Sequence, residues 1–508
     1  MGGHGQRRNV ARDIRKILVA NRGEIALRVM RAARELGIPS VAIYSSADSR
    51  ARHVLEAEEA TLIGQPPPLE SYLAIDKIIA AAKGTGCDAI HPGYGFLAEN
   101  AVFAKACADA GLIFIGPHHE AIALLGNKLE ARRTMEAAKV PIIPGRRIES
   151  GKAEDFAKGA NQIGYPVLVK AASGGGGKGM RVVRTREELH DAVGAASREA
   201  KSAFGDETVY LEKFLKRPRH VEFQVLADSF GHAVHLFERE CSIQRRHQKI
   251  IEETPSPAMT LELRAQMGAA AVTAAKAARY LSAGTVEFLL DEDGSFYFLE
   301  VNTRIQVEHP ITEITTGVDL VKEQIKIASG YPLSFVQGDI VPRGHAIECR
   351  IYAEDPANNF LPSSGKIVYL HEPAGANIRV DSGIYSGCEV SVYYDPILSK
   401  VITWGSDRRE SVRRMVLALS DYRILGIRNN VRFLMDILAH PEFVVGNTWT
   451  GFIDEHMPEW SDQPPAEEFD LARVAAVLAL SRREHVAAAT GGKSGHASVW
   501  TQLGSWEM

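Results

Sequence analysis

The stretch TVEFLLDEDGSFYFLEVN, residues 285–302, decides the fold. Asp293-Gly294 stands at its midpoint, and Asp-Gly between alternating apolar residues is the strongest short signal for a β-hairpin. Centring the turn there sets Glu287 directly opposite Glu300, amid Phe288, Leu289, Phe298 and Leu299. Asn302, two residues past Glu300, shares its face. Like charges opposed across a hairpin destabilise it, so a positive group belongs between them. Two carboxylates and an amide oxygen form an oxygen-only set suited to Mg²⁺ or Mn²⁺, with phosphate oxygens completing the shell.

The chain continues as TRIQVEHPITE (303–313), in which Arg304, Gln306 and Glu308 alternate. An extended segment points all three the same way. A cation, an amide and a carboxylate on one face suit a small anion that must lose a proton, with Glu308 as base and Arg304 as anion holder. The charged segment CSIQRRHQKIIEE (241–253) adds Arg245, Arg246, His247 and Lys249 from another strand. Glu252 and Glu253 follow and no aromatics interleave, which argues against a nucleic-acid surface.

Upstream, KAASGGGGKGMRVV (170–183) places four glycines beside a lysine. A Walker A loop needs Ser or Thr after its Gly-Lys pair to ligate magnesium, but Gly177-Lys178 is followed by Gly179. The run lies between two strand-like segments. It reads either as a mobile hairpin whose bare NH groups fold over phosphates or as a flexible surface turn.

Around this centre the chain changes character twice. In the first 120 or so residues, KILVA (16–20), SVAIYS (40–45), DAIHP (88–92) and LIFIG (112–116) alternate with helical segments at 24–37 and 72–86. Gly37 and Gly84 stand where helix C-caps belong. This is the pattern of a parallel sheet covered by helices. ANRGEIA holds the place where a dinucleotide-binding fold carries GxGxxG, so such a site is not expected. From 128 to 340 strands dominate (208–215, 220–228, 233–240 and the hairpin), predicting an α+β, more antiparallel unit. Region 341–458 mixes strands (AIECRIYAE, KIVYL, IRVDSG) with amphipathic helices. A linker, PEWSDQPPAEEF, and an alanine-rich helix at 471–489 follow.

With 508 residues, 45% hydrophobic and 24% charged, the chain has the composition of a multi-domain globular protein. A net charge of −4 argues against bulk nucleic-acid binding. Five scattered cysteines without a CxxC pair suit reduced thiols, no stretch is apolar enough to span a bilayer, and the basic N-terminus lacks a signal-peptide core. A cytoplasmic location is expected.

Together these segments resemble biotin carboxylases of the ATP-grasp superfamily. The matching pieces are ILVANRGEIALRV, HPGYGFLAEN, YPVLVKAASGGGGKGMRVV, RHVEFQVLAD, CSIQRRHQKIIEE, FLEVNTRIQVEHPITE, GHAIECRIYAEDP and YYDPILSKVI, in family order. The resemblance implies an α/β, Rossmann-like N-terminal domain (1–127). An α+β ATP-grasp domain (128–340) follows, with a glycine-rich lid at about 143–216, then a mixed α+β C-terminal domain (341–458) and a tail (459–508). It implies ATP held by Lys128, Lys170, Gly175, Gly176, Glu212, Lys213, Leu215, His220, Gln244, His247, Glu287 and Glu300. The metal would rest on Glu287, Glu300 and Asn302. Bicarbonate would be enclosed by Lys249, Arg304, Gln306, Val307 and Glu308, with Arg350 and Tyr94 at biotin. Lys249, Arg304, Glu308 and Arg350 would be the catalytic residues.

No methionine is followed by lysine, so the AMKM-like biotinyl motif of fused members is missing from these residues. The resemblance then implies biotin as a substrate on a separate carrier protein or in a longer polypeptide, a carboxyltransferase partner, and a homodimer or larger complex. A carbamoyl-phosphate-forming ATP-grasp enzyme would show tandem halves, and no internal repeat is visible. A catalytically dead scaffold is at odds with the intact Lys249, Arg304, Glu308 and Arg350.

Overall fold

The computed structural model describes residues 13–148, 153–171, 180–204 and 207–462. Gly175, Gly176 and the tail segment 471–489 lie outside the described residues. Ile17–Val19 (β1), Ser40–Ser45 (β2), Glu59–Gly64 (β3), Ala89–His91 (β4) and Ile113–Phe114 (β5) form a parallel sheet in the order β3-β2-β1-β4-β5. Every β1 residue is buried, as expected of a strand covered on both faces. Strand order reverses beside β1, and ligands of open α/β sheets bind at the carboxyl ends flanking such a reversal. Two loops are tied together there. Asn21 Nδ2 donates to the carbonyls of Pro92 (2.8 Å) and Tyr94 (2.7 Å). Gly93, between them, has φ +62°, and a Cβ on it would lie 3.0 Å from that same Nδ2, so glycine is required.

The helix Gly23–Glu35 (α1) follows β1 and buries Ile25, Ala26, Val29 and Met30. Gly37 takes the left-handed conformation just past its end, as the sequence predicts. Gly84 does not. It closes the helix Ile75–Gly84 from inside, and Gly86 takes the left-handed position while its NH satisfies the Lys83 carbonyl.

A second, antiparallel sheet joins Gly145–Arg147 (β6), Val167–Ala171 (β7), Arg181–Val183 (β8) and Val209–Lys213 (β9) in the order β6-β9-β7-β8. Val167 pairs with Val183, so the chain enters and leaves the glycine run along two arms of one hairpin.

The third sheet has eight antiparallel strands. Arg219–Ala227 (β10), Ala233–Arg245 (β11), Gln248–Thr254 (β12), Ser282–Leu290 (β13), Phe296–Asn302 (β14) and His345–Tyr352 (β15) join strands Ile378–Ser382 and Ile397–Gly405. The order is β14-β13-β10-β11-β12-β15, then 397–405, then 378–382. Pairs such as Ile251 with Cys349 run unbroken across the β12–β15 junction, so segments far apart in sequence share one sheet. The residues of CSIQRRHQKIIEE belong to β11 and β12. They turn at Arg246 and His247, which both have positive φ, a hairpin without an Asn-Gly signal.

The β13–β14 pair does set Glu287 opposite Glu300, by a different route from the simple turn. The loop is the three residues Glu292–Gly294, closed by the Asp291 NH on the Ser295 carbonyl (2.8 Å), with Gly294 at φ +83°. Phe288 then pairs with Phe298, and Leu299 is the extra residue of a β-bulge before Glu300. Two one-residue offsets cancel.

Candidate active site

β10, β11 and β12 turn polar side chains toward the hairpin, and these assemble around Lys249. Its Nζ donates to Glu287 (2.7 Å), Glu308 (2.8 Å) and Glu222 (2.5 Å). Burial disfavours the ammonium, yet Glu222, Glu287 and Glu308 outweigh it and hold the lysine well above its usual range. The second oxygen of Glu308 accepts from Arg350 Nη2 at 2.8 Å, and Arg350 Nε donates to Glu252. Glu308 is 1% exposed. Burial opposes its charge, but Lys249, Arg350 and Arg239 keep its carboxyl well below the usual carboxylate range. Charge-assisted hydrogen bonds thus hold both oxygens of one carboxylate.

Beneath this array lies Arg239, fully buried. It donates to Glu222 (2.7 Å), Gln224 (2.8 Å), Thr312 (3.0 Å) and Thr285 (3.1 Å), and also to Gln306. Gln306 in turn donates to Glu287 at 2.8 Å. His220 Nε2 lies 2.9 Å from Glu287 Oε2; burial lowers the imidazole's pKa, and Glu287 more than reverses that.

Glu287 and Glu300 are carboxylates of the kind a divalent cation takes. Glu300 is half-buried, and its pKa is raised by burial and then by the charge of Glu287 across the strand pair. No hydrogen bond or ion pair among the described residues reaches its carboxyl. A divalent cation between the two would remove that repulsion. Asn302 donates to Glu287 (2.8 Å), and its oxygen accepts from Arg304 (2.9 Å).

Arg304 departs from the extended reading. Residues 303–308 form bends and a turn, not a strand, because Glu308 already caps the helix His309–Thr316, with Pro310 in its first turn. Gln306 and Glu308 reach the Lys249 array, while Arg304 turns to Glu99 (3.0 Å). Of the basic cluster only Lys249 converges. Arg245 lies over the Phe360 ring and donates to Glu354, Arg246 donates to Asn359, and His247 is exposed on the turn.

The other expected residues fall in three places. Lys170 of β7 donates to Glu212 of β9 at 2.7 Å, with Lys213 and buried Leu215 just beyond. Lys128 begins the helix Lys128–Ala137 and acts electrostatically on Glu300. Gln244, buried, pairs with Lys249 across the β11–β12 hairpin. Tyr94 donates to Glu24, whose carboxylate lies 3.3 Å from Lys400 Nζ; that ammonium is fully buried and donates to the Val307 carbonyl at 2.7 Å.

Sequence reading missed Glu24, Glu222, Arg239, Glu252 and Lys400. A signal existed in HVEFQVLAD, where His220, Glu222 and Gln224 recur with period two, the face of a strand that is polar yet buried. Two cavities, of 460 and 190 Å³, open beside Arg52 and α1, and neither is lined by Lys249, Glu308 or Arg350. Chemistry, not volume, marks the site.

A charge-lined antiparallel sheet whose hairpin offers oxygen ligands, together with a smaller sheet bearing the Lys170–Glu212 pair, has the form of an ATP-grasp enzyme. Three family models match in succession. They are the biotin carboxylase N-terminal domain (13–122), the carbamoyl-phosphate synthase L chain ATP-binding domain (127–336) and the biotin carboxylase C-terminal domain (348–455). The chain belongs to the biotin carboxylase family. It is 53% identical to biotin carboxylase 1 of Bacillus subtilis, over 87% of this chain and 99% of that protein. It is 47% identical to the propionyl-CoA carboxylase alpha chain of Ruegeria pomeroyi, over 92% and 72%. Among solved structures it resembles the biotin carboxylase domain dimer of Hydrogenobacter thermophilus 2-oxoglutarate carboxylase, in complex with MgADP, ADP and bicarbonate. The TM-score is 0.83 and the identity 47%, over 89% of this chain and 100% of that one. Among the described residues no helix is long and apolar enough to cross a membrane.

Proposed function

We propose that this chain is a biotin carboxylase that uses ATP and bicarbonate to carboxylate biotin on a carrier, the first half-reaction of a biotin-dependent carboxylase. The observation that carries the residue assignments is the grip of Lys249 and Arg350 on the two oxygens of Glu308. In this reading those cations are released to substrates in turn. Bicarbonate takes Lys249 and Arg304, and the ureido oxygen of biotin takes Arg350, with Tyr94 nearby. Glu308 loses two positive partners as the site fills, its basicity rises, and it accepts the bicarbonate proton.

The bicarbonate oxygen then attacks the γ-phosphorus, forming carboxyphosphate and releasing ADP. Carboxyphosphate splits into CO₂ and phosphate; the phosphate takes the N1′ proton of biotin, and N1′ attacks CO₂. Arg350 stabilises the negative charge on the ureido oxygen as it develops. Glu287, Glu300 and Asn302 would hold Mg²⁺ or Mn²⁺, which when bound offsets charge on the transferring phosphate. Lys128 and Lys170 hold the phosphates, and Gly175 and Gly176 belong to a lid that excludes water. Glu212, Lys213, Leu215, His220, Gln244 and His247 line the nucleotide site.

The partners are a biotin carrier protein, free or as a biotinyl chain of the complex, together with a carboxyltransferase, in a homodimer or larger complex in the cytoplasm. The Ruegeria relative, one chain of a propionyl-CoA carboxylase, supports a multi-chain assembly. The domain limits proposed are 1–127, 128–340 and 341–458.

The test is ATP cleavage by the purified protein with bicarbonate and Mg²⁺, with and without free biotin. Biotin-stimulated cleavage with carboxybiotin formed is expected. Failure to see either overturns the reading.

A further inference from the structure

The mechanism leaves unused a pair of acids behind Arg350. Glu252 of β12 and Glu348 of β15 stand directly opposite each other in the strand register. Cross-strand partners share a face at close range. Both side chains are fully buried. Arg350 Nε takes one oxygen of Glu252. The other Glu252 oxygen and both Glu348 oxygens have no hydrogen-bond donor among the described residues. Three buried acceptor atoms on a directly opposed residue pair thus have no donor among the described residues. A buried carboxylate with no donor is strongly disfavoured, and a protonated carboxyl escapes that cost by becoming the donor itself.

We propose that Glu252 and Glu348 share a single proton and act as a positioning pair for Arg350. The proton resides on Glu348 and is donated to the free oxygen of Glu252, so the pair presents one negative charge to the guanidinium. That charge anchors Arg350 through Nε and leaves Nη2 free to pass from Glu308 to the ureido oxygen. Two full charges at this point would compete with both. The inference rests on the reading of Arg350 as the biotin holder.

The groups around the pair are consistent with one proton. Arg350 and Lys249 lie on the strands of the pair itself, Lys400 on the adjoining strand 397–405, Glu308 at the start of the 309–316 helix, and the Cys241 and Cys349 thiols on β11 and β15. Burial raises the pKa of both acids. Arg350 pulls Glu252 only part of the way back, to about 7, and Lys400 offsets burial less at Glu348, which stays well above the carboxylate range. Raising the pH through the loss of this proton adds a second charge behind Arg350. Biotin-dependent turnover should therefore fall on the alkaline side while ATP cleavage without biotin does not.

The experiment is infrared spectroscopy of the whole protein at neutral pH together with biotin kinetics. The wild-type protein should show the carbonyl stretch of a buried neutral carboxylic acid, lost in Glu348→Gln. Glu348→Gln, a permanent donor of the same shape, should keep KM for free biotin within about twofold and shift the alkaline limb upward. Glu348→Leu should raise that KM by about tenfold or more, with biotin-independent ATP cleavage unchanged. A wild-type spectrum without a neutral-acid band, or Gln and Leu variants alike in KM and pH profile, overturns the pair. Wild-type ATP cleavage that ignores biotin overturns instead the assignment on which it rests, and the infrared result still reads the proton.

Discussion

Glu308 shows how neighbours set the chemistry of one residue. Its low pKa in the substrate-free site would make it a poor base, and two of the three cations responsible, Lys249 and Arg350, are those the proposed mechanism hands to the substrates. Glu308→Gln should abolish bicarbonate-dependent ATP cleavage and leave nucleotide affinity nearly unchanged, as read by titration with ATP. A collapse of that affinity would make Glu308 structural. Arg350→Gln removes one stabiliser of developing charge and should lower biotin-dependent kcat about a hundredfold, roughly 3 kcal/mol, measured as carboxybiotin formed per unit time. Arg304, Gln306 and Glu308 were legible as a cluster from their alternation, and Arg350 through the family resemblance. Their directions were not, since Pro310 and the helix beginning at His309 bend the chain where alternation assumed a strand.

At the scale of elements, the hairpin was read correctly because its information is local. Strand alternation and a turn dipeptide settle which side chains share a face, and the bulge at Leu299 restored what the longer loop displaced. Lys400 illustrates the opposite case. YYDPILSKVI places a lysine in an apolar strand, and only packing reveals its neighbours: the Val307 carbonyl (2.7 Å), Glu24 (3.3 Å) and Asp381 (3.9 Å). It joins α1, the strand 397–405 and the turn before the 309–316 helix. Lys400→Met leaves the buried Glu24 without its cation, whereas Asp381 keeps Arg379 at 2.7 Å, and it should cost about 3–5 kcal/mol, read as a lower urea midpoint. An unchanged midpoint would mean Glu24 is already neutral.

For the whole molecule, acid should act first through buried histidines. Burial lowers His53 to about 4 and His91 to about 3, from 6.5, so the folded protein keeps both neutral while the unfolded chain protonates them. Their contribution is fully present above about pH 6.5 and is lost as pH falls through those folded values, on the order of 3–5 kcal/mol each. The urea midpoint should drop between pH 7 and pH 4.5. In His53→Gln, which keeps a donor for the Ile43 carbonyl, that drop should be smaller; an equal drop would place the effect elsewhere.

By itself the sequence determined the strand and helix pattern of the parallel sheet, the faces of the hairpin and the grouping of Arg304, Gln306 and Glu308, because each depends on neighbours within a few positions. Tertiary structure alone decided that β12 and β15 join otherwise separate segments into one eight-stranded sheet. It also decided that charged strand faces at Glu222, Arg239, Glu348 and Lys400 are buried. A period of two says which side chains share a face, but not whether that face meets water or another layer of protein. The proton balance of Glu252, Glu348 and Glu308 follows from that second fact, since desolvation and the distance to a counter-charge exist only once the layers are packed.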